Sequence, residues 1–157
     1  MRDRINTATK EAMKAGDKLR LSTLRLINAA IKDRDIAARV DNNGQSTGRD
    51  HADDGEILQL LQKMIKQRRE SETTYRQAGR ADLADQEAGE ITVIQEFLPA
   101  QMSEGDVASA VNSVIEDLGA SGLKDMGRTM AALKEKYAGQ MDFGKASGLV
   151  KSKLSGG

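Results

Sequence analysis

The 157-residue chain has no cysteine and no tryptophan, only one histidine and one proline, and aromatic residues at 3%. Without cysteine there can be no disulfide, no thiolate nucleophile and no cysteine-based zinc site, which fits a reducing compartment. A single histidine, His51, cannot be joined by a second in a metal pair or a relay, and in an acidic loop it reads as a solvated side chain. Scarce aromatics argue against stacking on splayed bases, so any contact with RNA should go to backbone and shape. No apolar run approaches the roughly 20 residues that span a bilayer, and no membrane partner is expected. The N-terminal stretch lacks the apolar core of a signal peptide and carries Asp3 and Glu11, which leads to the expectation of a soluble, cytoplasmic protein.

Net charge is also missing, with 24 basic residues against 24 acidic ones. The balance is not uniform: residues 1–40, 41–98 and 99–157 carry +5, −5 and 0. Such neighbouring blocks of opposite sign suit helices that complement each other internally as well as they suit an exposed binding face.

What the chain does have is helical spacing nearly throughout. A first helix over about 2–15 should stop at Gly16, with Asp17 capping a second that runs to about Val40 on Leu24, Ile27 and Ile31. The polar segment 41–55 reads as an exposed, mobile loop whose tail, Asp53 and Glu56, forms a capping box. A long third helix follows on Ile57, Leu61, Met64 and Ile65, with Lys66–Glu70 and Arg68–Glu72 as solvated pairs one turn apart. Gly79 ends it. A fourth helix from about Asp82 must close around Phe97 or Leu98, because Pro99 disfavours helix at the residue before it. Three shorter helices follow: one capped by Ser103 and Asp106 and closed by Gly119, one on Met126, Met130, Leu133 and Tyr137, and one from Asp142 through Val150 and Leu154. No alternating strand pattern occurs. The expected fold is all-α, with a larger N-terminal bundle of about four helices in 1–98 and a small C-terminal three-helix domain in 99–157, divided at Pro99.

Tests for catalytic motifs fail on their context. Gly139 to Lys145 has P-loop glycine and lysine spacing, but Ala146 stands where a hydroxyl should hold magnesium, and a helix precedes it instead of a strand. Asp50, Asp53 and Asp54 fail as a calcium loop because Ala52 and Leu61 occupy ligand positions. No catalytic residue, cofactor or metal is expected. The best candidate for binding is a set of cations in the last helices, Lys124, Arg128, Lys134, Lys145 and Lys151, which could hold phosphates if their faces converge. Gly127, between Lys124 and Arg128, either opens the backbone to a phosphate near a helix N-terminus or lets a neighbouring helix pack closely.

Three segments together resemble the YqeY family: KLRLSTLRLINAAIKDRDI at 18–36, QKMIKQRRESETTYRQAGRADLADQEAGEITVIQEFLPAQMSE at 62–104, and KDMGRTMAALKEKYAGQMDFGKASGLVKSKL at 124–154. That family is similar to the C-terminal tail domain of GatB, a component of the glutamine-dependent aspartyl/glutamyl-tRNA amidotransferase. The resemblance implies a two-bundle helical architecture and a role near tRNA or a tRNA-bearing amide-transfer enzyme. It also brings the label of carbon–nitrogen ligase with glutamine as amido-N-donor, although the chain has no cysteine glutaminase, Ser-Ser-Lys amidase or ATP site of its own. The expected function is a non-catalytic helical module that binds tRNA, or a tRNA-bearing enzyme of the amidotransferase kind, through the smaller C-terminal bundle. A protein-interaction adaptor without nucleic acid is the alternative, and an accessory subunit of an amide-forming enzyme is a third reading.

Overall fold

The computed structural model describes residues 1–156. Among them are seven α-helices and one 3-10 turn, and the only β pairing is a single bridge between Val40 and Ser46. The helices are α1 (Arg2–Ala15), α2 (Lys18–Ala38), α3 (Asp54–Gln77), α4 (Ala81–Gln95), α5 (Glu104–Leu118), α6 (Met126–Lys136) and α7 (Phe143–Gly156), with the 3-10 turn at Leu123–Asp125. Two compact units result, Met1–Leu98 and Pro99–Gly157.

Local chemistry sets the boundaries. Gly16 closes α1 at φ 68°, a left-handed conformation that costs glycine nothing, and the Asp17 carboxylate accepts from Arg20 N to open α2. Both capping boxes form, Asp53 with Glu56 and Ser103 with Asp106. α4 ends at Gln95, earlier than the proline alone requires, because Phe97 N and Leu98 N tighten onto Ile94 O and Gln95 O at 3.1 Å before the extended residues at Pro99. The free carbonyl end of α4 is met by cations. Arg4 donates to Glu96 O and lies 5.5 Å from the centre of the Phe97 ring, while Arg20 holds the Glu96 carboxylate with two bonds.

In the first unit the core gathers Ile5, Leu24, Ile27, Ile57, Leu61, Ile94 and Phe97 from all four helices. α2 approaches α4 at Gly89, where an added Cβ would lie 2.7 Å from Leu19 Cδ2. Segment 41–55 is exposed as expected except for buried Ala52 and half-buried Gly55, yet it is tied down rather than loose. The Asp41 carboxylate accepts from Asn43 N and Gln45 N, Thr47 donates to Ala38 O and Arg39 O, and Ala52 is buried. Its anchor is Asp35, which is 8% exposed, takes two bonds from Arg2 at 2.9 and 2.6 Å, and accepts from Ala52 N at 2.8 Å. The Arg2 guanidinium, followed by the Ala52 amide, outweighs desolvation and lowers the Asp35 pKa from 3.8 to about 2.

One expected pairing is different. Arg68 donates to Glu90 across the α3–α4 interface at 2.9 Å and to Met64 O at 3.2 Å, so it is a half-buried tie between helices, while Glu72 pairs with Arg76. In the second unit Val111, Val114, Leu133, Met141, Ala146 and Val150 form the core. Met102 N to Gln140 O and the Gln101 amide to Gly139 O fasten the start of this unit to the turn between α6 and α7.

Candidate functional site

The KDMG segment lies where the 3-10 turn runs into α6. The carbonyls just before it already take its first amides, with Asp125 N donating to Gly122 O and Met126 N to Leu123 O. Asp125 then places a carboxylate among the cations: it accepts from Ser121 N at 3.0 Å and from Arg128 Nε at 3.0 Å. Those bonds, Ser121 first and Arg128 second, hold the Asp125 pKa below its ordinary value. Arg128 is therefore a partnered cation. Lys124 is exposed beside the same carboxylate and contributes to lowering its pKa. Gly127 is exposed, and a Cβ built on it would meet nothing within 4 Å, so no helix of this unit requires a glycine there.

The start of α7 is similar. Asp142 accepts from Gly144 N at 2.8 Å and from Lys145 N at 3.3 Å, so its carboxylate takes the amides that a phosphate would need. Both helix starts thus carry an aspartate of their own, and an anion approaching this unit would be held by lysine side chains rather than by backbone.

Lys134, Lys145 and Lys151 are exposed and make no ion pair within the described residues. Helix geometry does not stack them. Arg128 and Lys134, six positions apart on α6, lie about 120° apart around the axis, and Lys145 and Lys151 repeat that offset on α7. Each helix carries cations on its outer side and on a flank, around the buried stripes Thr129–Leu133 and Ala146–Val150–Leu154.

The sequence reading missed a sharper asymmetry. All seven Lys/Arg of this unit fall between Lys124 and Lys153, against three acids there, while α5 carries four acids and no cation. Lys136, 5.6 Å from the Tyr137 ring centre, and Lys153 belong to this basic half although no motif pointed to them. Counting charge by helix rather than by 59-residue block would have revealed it. An open cleft of about 320 Å³ lies along α5, lined by Met102, Asp106, Ser109, Ala110, Ser113 and Tyr137. Its one carboxylate, Asp106, is committed to the cap of α5, and neither serine has a base beside it. Among the described residues no three His, Asp or Glu groups come together to hold a metal.

With this geometry in view, comparison with known proteins is informative. A family model described as Yqey-like protein matches residues 2–154. The chain belongs to the YqeY family. That family is related to the C-terminal domain of GatB. Curated relatives carry the name "Altered inheritance of mitochondria protein 41, mitochondrial". The one from Pyrenophora tritici-repentis is 29% identical over 138 residues, covering 83% of this chain and 70% of the relative. Those from Lachancea thermotolerans and Saccharomyces cerevisiae are 31% and 30% identical over 112 residues, 69% of this chain. This YqeY chain spans 54% and 55% of these two yeast relatives, about half their length.

These names correct the cytoplasmic expectation, because the matching relatives are mitochondrial proteins. A lack of cysteine fits any reducing solvent, and such a solvent does not define one compartment. No helix among the described residues is long and apolar enough to cross a membrane.

Proposed function

We propose that this YqeY chain is a non-catalytic module that binds tRNA, or a tRNA-bearing amide-transfer enzyme, through the basic half of its second unit. In this reading Met1–Leu98 and Pro99–Gly157 act as a four-helix and a three-helix domain, and any carbon–nitrogen ligation belongs to the partner. The observation that carries it is the segregation of charge within Pro99–Gly157: every cation lies on the 3-10 turn, α6 and α7, and the lysines there make no ion pair among the described residues. The family's relation to the GatB C-terminal domain adds the chemical class of ligand.

Because Asp125 and Asp142 occupy the helix starts, binding would be a side-chain, counterion-release interaction with little sequence preference. Lys134, Lys145 and Lys151 supply its main contacts, Lys124 a peripheral one, and Arg128 acts only after exchanging Asp125 for a phosphate. The test is tRNA binding by wild type and by Lys134→Glu/Lys145→Glu/Lys151→Glu at several salt concentrations, with helicity checked by circular dichroism. The triple variant should bind at least about tenfold more weakly, with a salt slope shallower by roughly two to three. Wild-type binding no stronger than that of the variant would refute the proposal.

A further inference from the structure

α2 has a second face that the core does not use. Its buried residues Leu24, Ile27, Ile31, Asp35 and Ala38 form one stripe, and the opposite side of a surface helix should be polar. Here that side carries Leu26 and Ile36 at 48 and 58% exposure, interleaved with exposed Ser22, Ala29 and Ala37, with Leu19 at its edge, 38% exposed and resting on Gly89 of α4. The spacing is heptad. Within the helix Leu19, Leu26 and Asp33 repeat every seven residues, and Ser22, Ala29 and Ile36 follow at the intervening steps of three and four, which are the two seam positions of a coiled coil.

A row of charge runs alongside in the same register. Lys18, Arg25 and Lys32 stand one residue before Leu19, Leu26 and Asp33, at the position that flanks a seam, and Arg39 continues the line at the cap of α2. Among the described residues the side chains of Lys18, Arg25 and Lys32 make no ion pair or hydrogen bond, and Arg39 reaches only the Asp50 carbonyl at 3.4 Å. The other arginines of α2 behave differently: Arg20 and Arg34 hold Glu96 and Glu56. Among the described residues the unpaired cations of α2 are thus confined to the line beside the apolar seam, over a length of about 20 Å.

We infer that the outer face of α2 docks an amphipathic helix of a partner protein whose apolar seam is flanked by Asp and Glu. Charge selects this occupant. A second copy packed antiparallel would set the cationic row against itself, and packed parallel it would offer the row only Ala30 and Ala37, Thr23 being fully buried. A nucleic acid backbone would use the cations and leave Leu26 and Ile36 in water. A membrane surface favours a broad face of bulky anchors, whereas Ser22, Ala29 and Ala37 are small residues that let another helix come close. Asp33, the one charge within the seam, has no ion pair and fixes the register by meeting a cation or amide of the partner helix.

This inference is independent of the tRNA proposal, which uses other residues in the other unit. It is tested with the full chain and a fluorescent four-heptad peptide bearing Leu and Ala at the seam and Glu on both flanks, compared with the same peptide carrying Lys on its flanks. The Glu peptide should bind with a Kd on the order of micromolar, at least about tenfold tighter than the Lys peptide, and weaken as salt rises. Leu26→Ser/Ile36→Ser should weaken it about tenfold or more without loss of helicity, and Arg25→Glu/Lys32→Glu should switch preference to the Lys peptide. Equal binding of the two peptides, indifference to the serine pair, or tRNA binding that responds to the charge reversal while neither peptide binds would each overturn the inference.

Discussion

The substitution Asp35→Asn removes one charge from the point where α1, α2 and the segment before α3 are joined, while keeping the side chain's shape. The native carboxylate is held at a pKa of about 2 against an ordinary 3.8, first by Arg2 and then by the Ala52 amide. At about 1.4 kcal/mol per unit, and discounting for an Arg2 side chain that is 35% exposed, the charge stabilises the folded state by about 2 kcal/mol at pH 7. Because the folded pKa is depressed, that stability is complete above the ordinary carboxylate pKa and disappears as pH falls toward 2. At pH 3 about half should remain. The amide oxygen of the variant can still accept from Ala52 N, but its NH2 group cannot answer Arg2.

The assay is urea unfolding of both proteins at pH 7 and pH 3 in a Tyr137→Phe background, where Tyr75 in α3 is the remaining tyrosine and reports on the first unit. The variant should unfold roughly 1 M earlier at pH 7, for a slope of about 2 kcal/mol/M, and the gap should narrow by about half at pH 3. Other titrating groups are common to both proteins and cancel in the difference. A gap of the same size at both pH values would refute the account, since it would assign the loss to packing rather than to charge.

Two further outcomes follow from other sites. Glu90→Ala strands the half-buried Arg68 guanidinium between α3 and α4 and should cost about 3 kcal/mol by denaturant unfolding, whereas Arg68→Met/Glu90→Leu should recover most of it; a double variant as weak as the single one would contradict the pairing. Gly127→Ala places a methyl in open space within the first turn of α6 and should raise the melting temperature of the second unit slightly, for about half a kcal/mol of helix propensity. Reduced tRNA affinity in that more stable variant would show that a ligand approaches the backbone there, and unchanged affinity would leave the lysines as the sole contacts.

Much of the fold was legible because its signals are local. A cap is a matter of three residues and a left-handed glycine of one, so Gly16, Asp17, Asp53 and Ser103 could be placed with no knowledge of neighbours. Arg68 could not, because spacing along a helix offers it Glu72 while folding brings Glu90 to it from α4. Asp35 was equally hidden. Its position on the buried stripe of α2 looks like an error until Arg2 and Ala52 arrive from remote parts of the chain. In the second unit the cations were legible as residues, but the carboxylates of Asp125 and Asp142, which decide whether the backbone there is open to a phosphate, were read only as helix punctuation.

The charge blocks of the first unit show how one observation can hold two answers. A surplus of +5 in residues 1–40 beside −5 in 41–98 suggested complementarity between helices, and for Arg20 with Glu96 and Arg34 with Glu56 that is what forms. The row Lys18, Arg25, Lys32 and Arg39 takes no part in it. Periodicity concealed the row for the same reason that it found the core: α2 carries apolar residues on two opposite faces, and looking for a single stripe assigns the first to packing and leaves the second as scatter. Only burial separates them. Leu24 and Ile27 at 0% exposure belong to the fold, while Leu26 and Ile36, at half exposure beside unpaired cations, have no packing role in this chain and are best explained by something it binds.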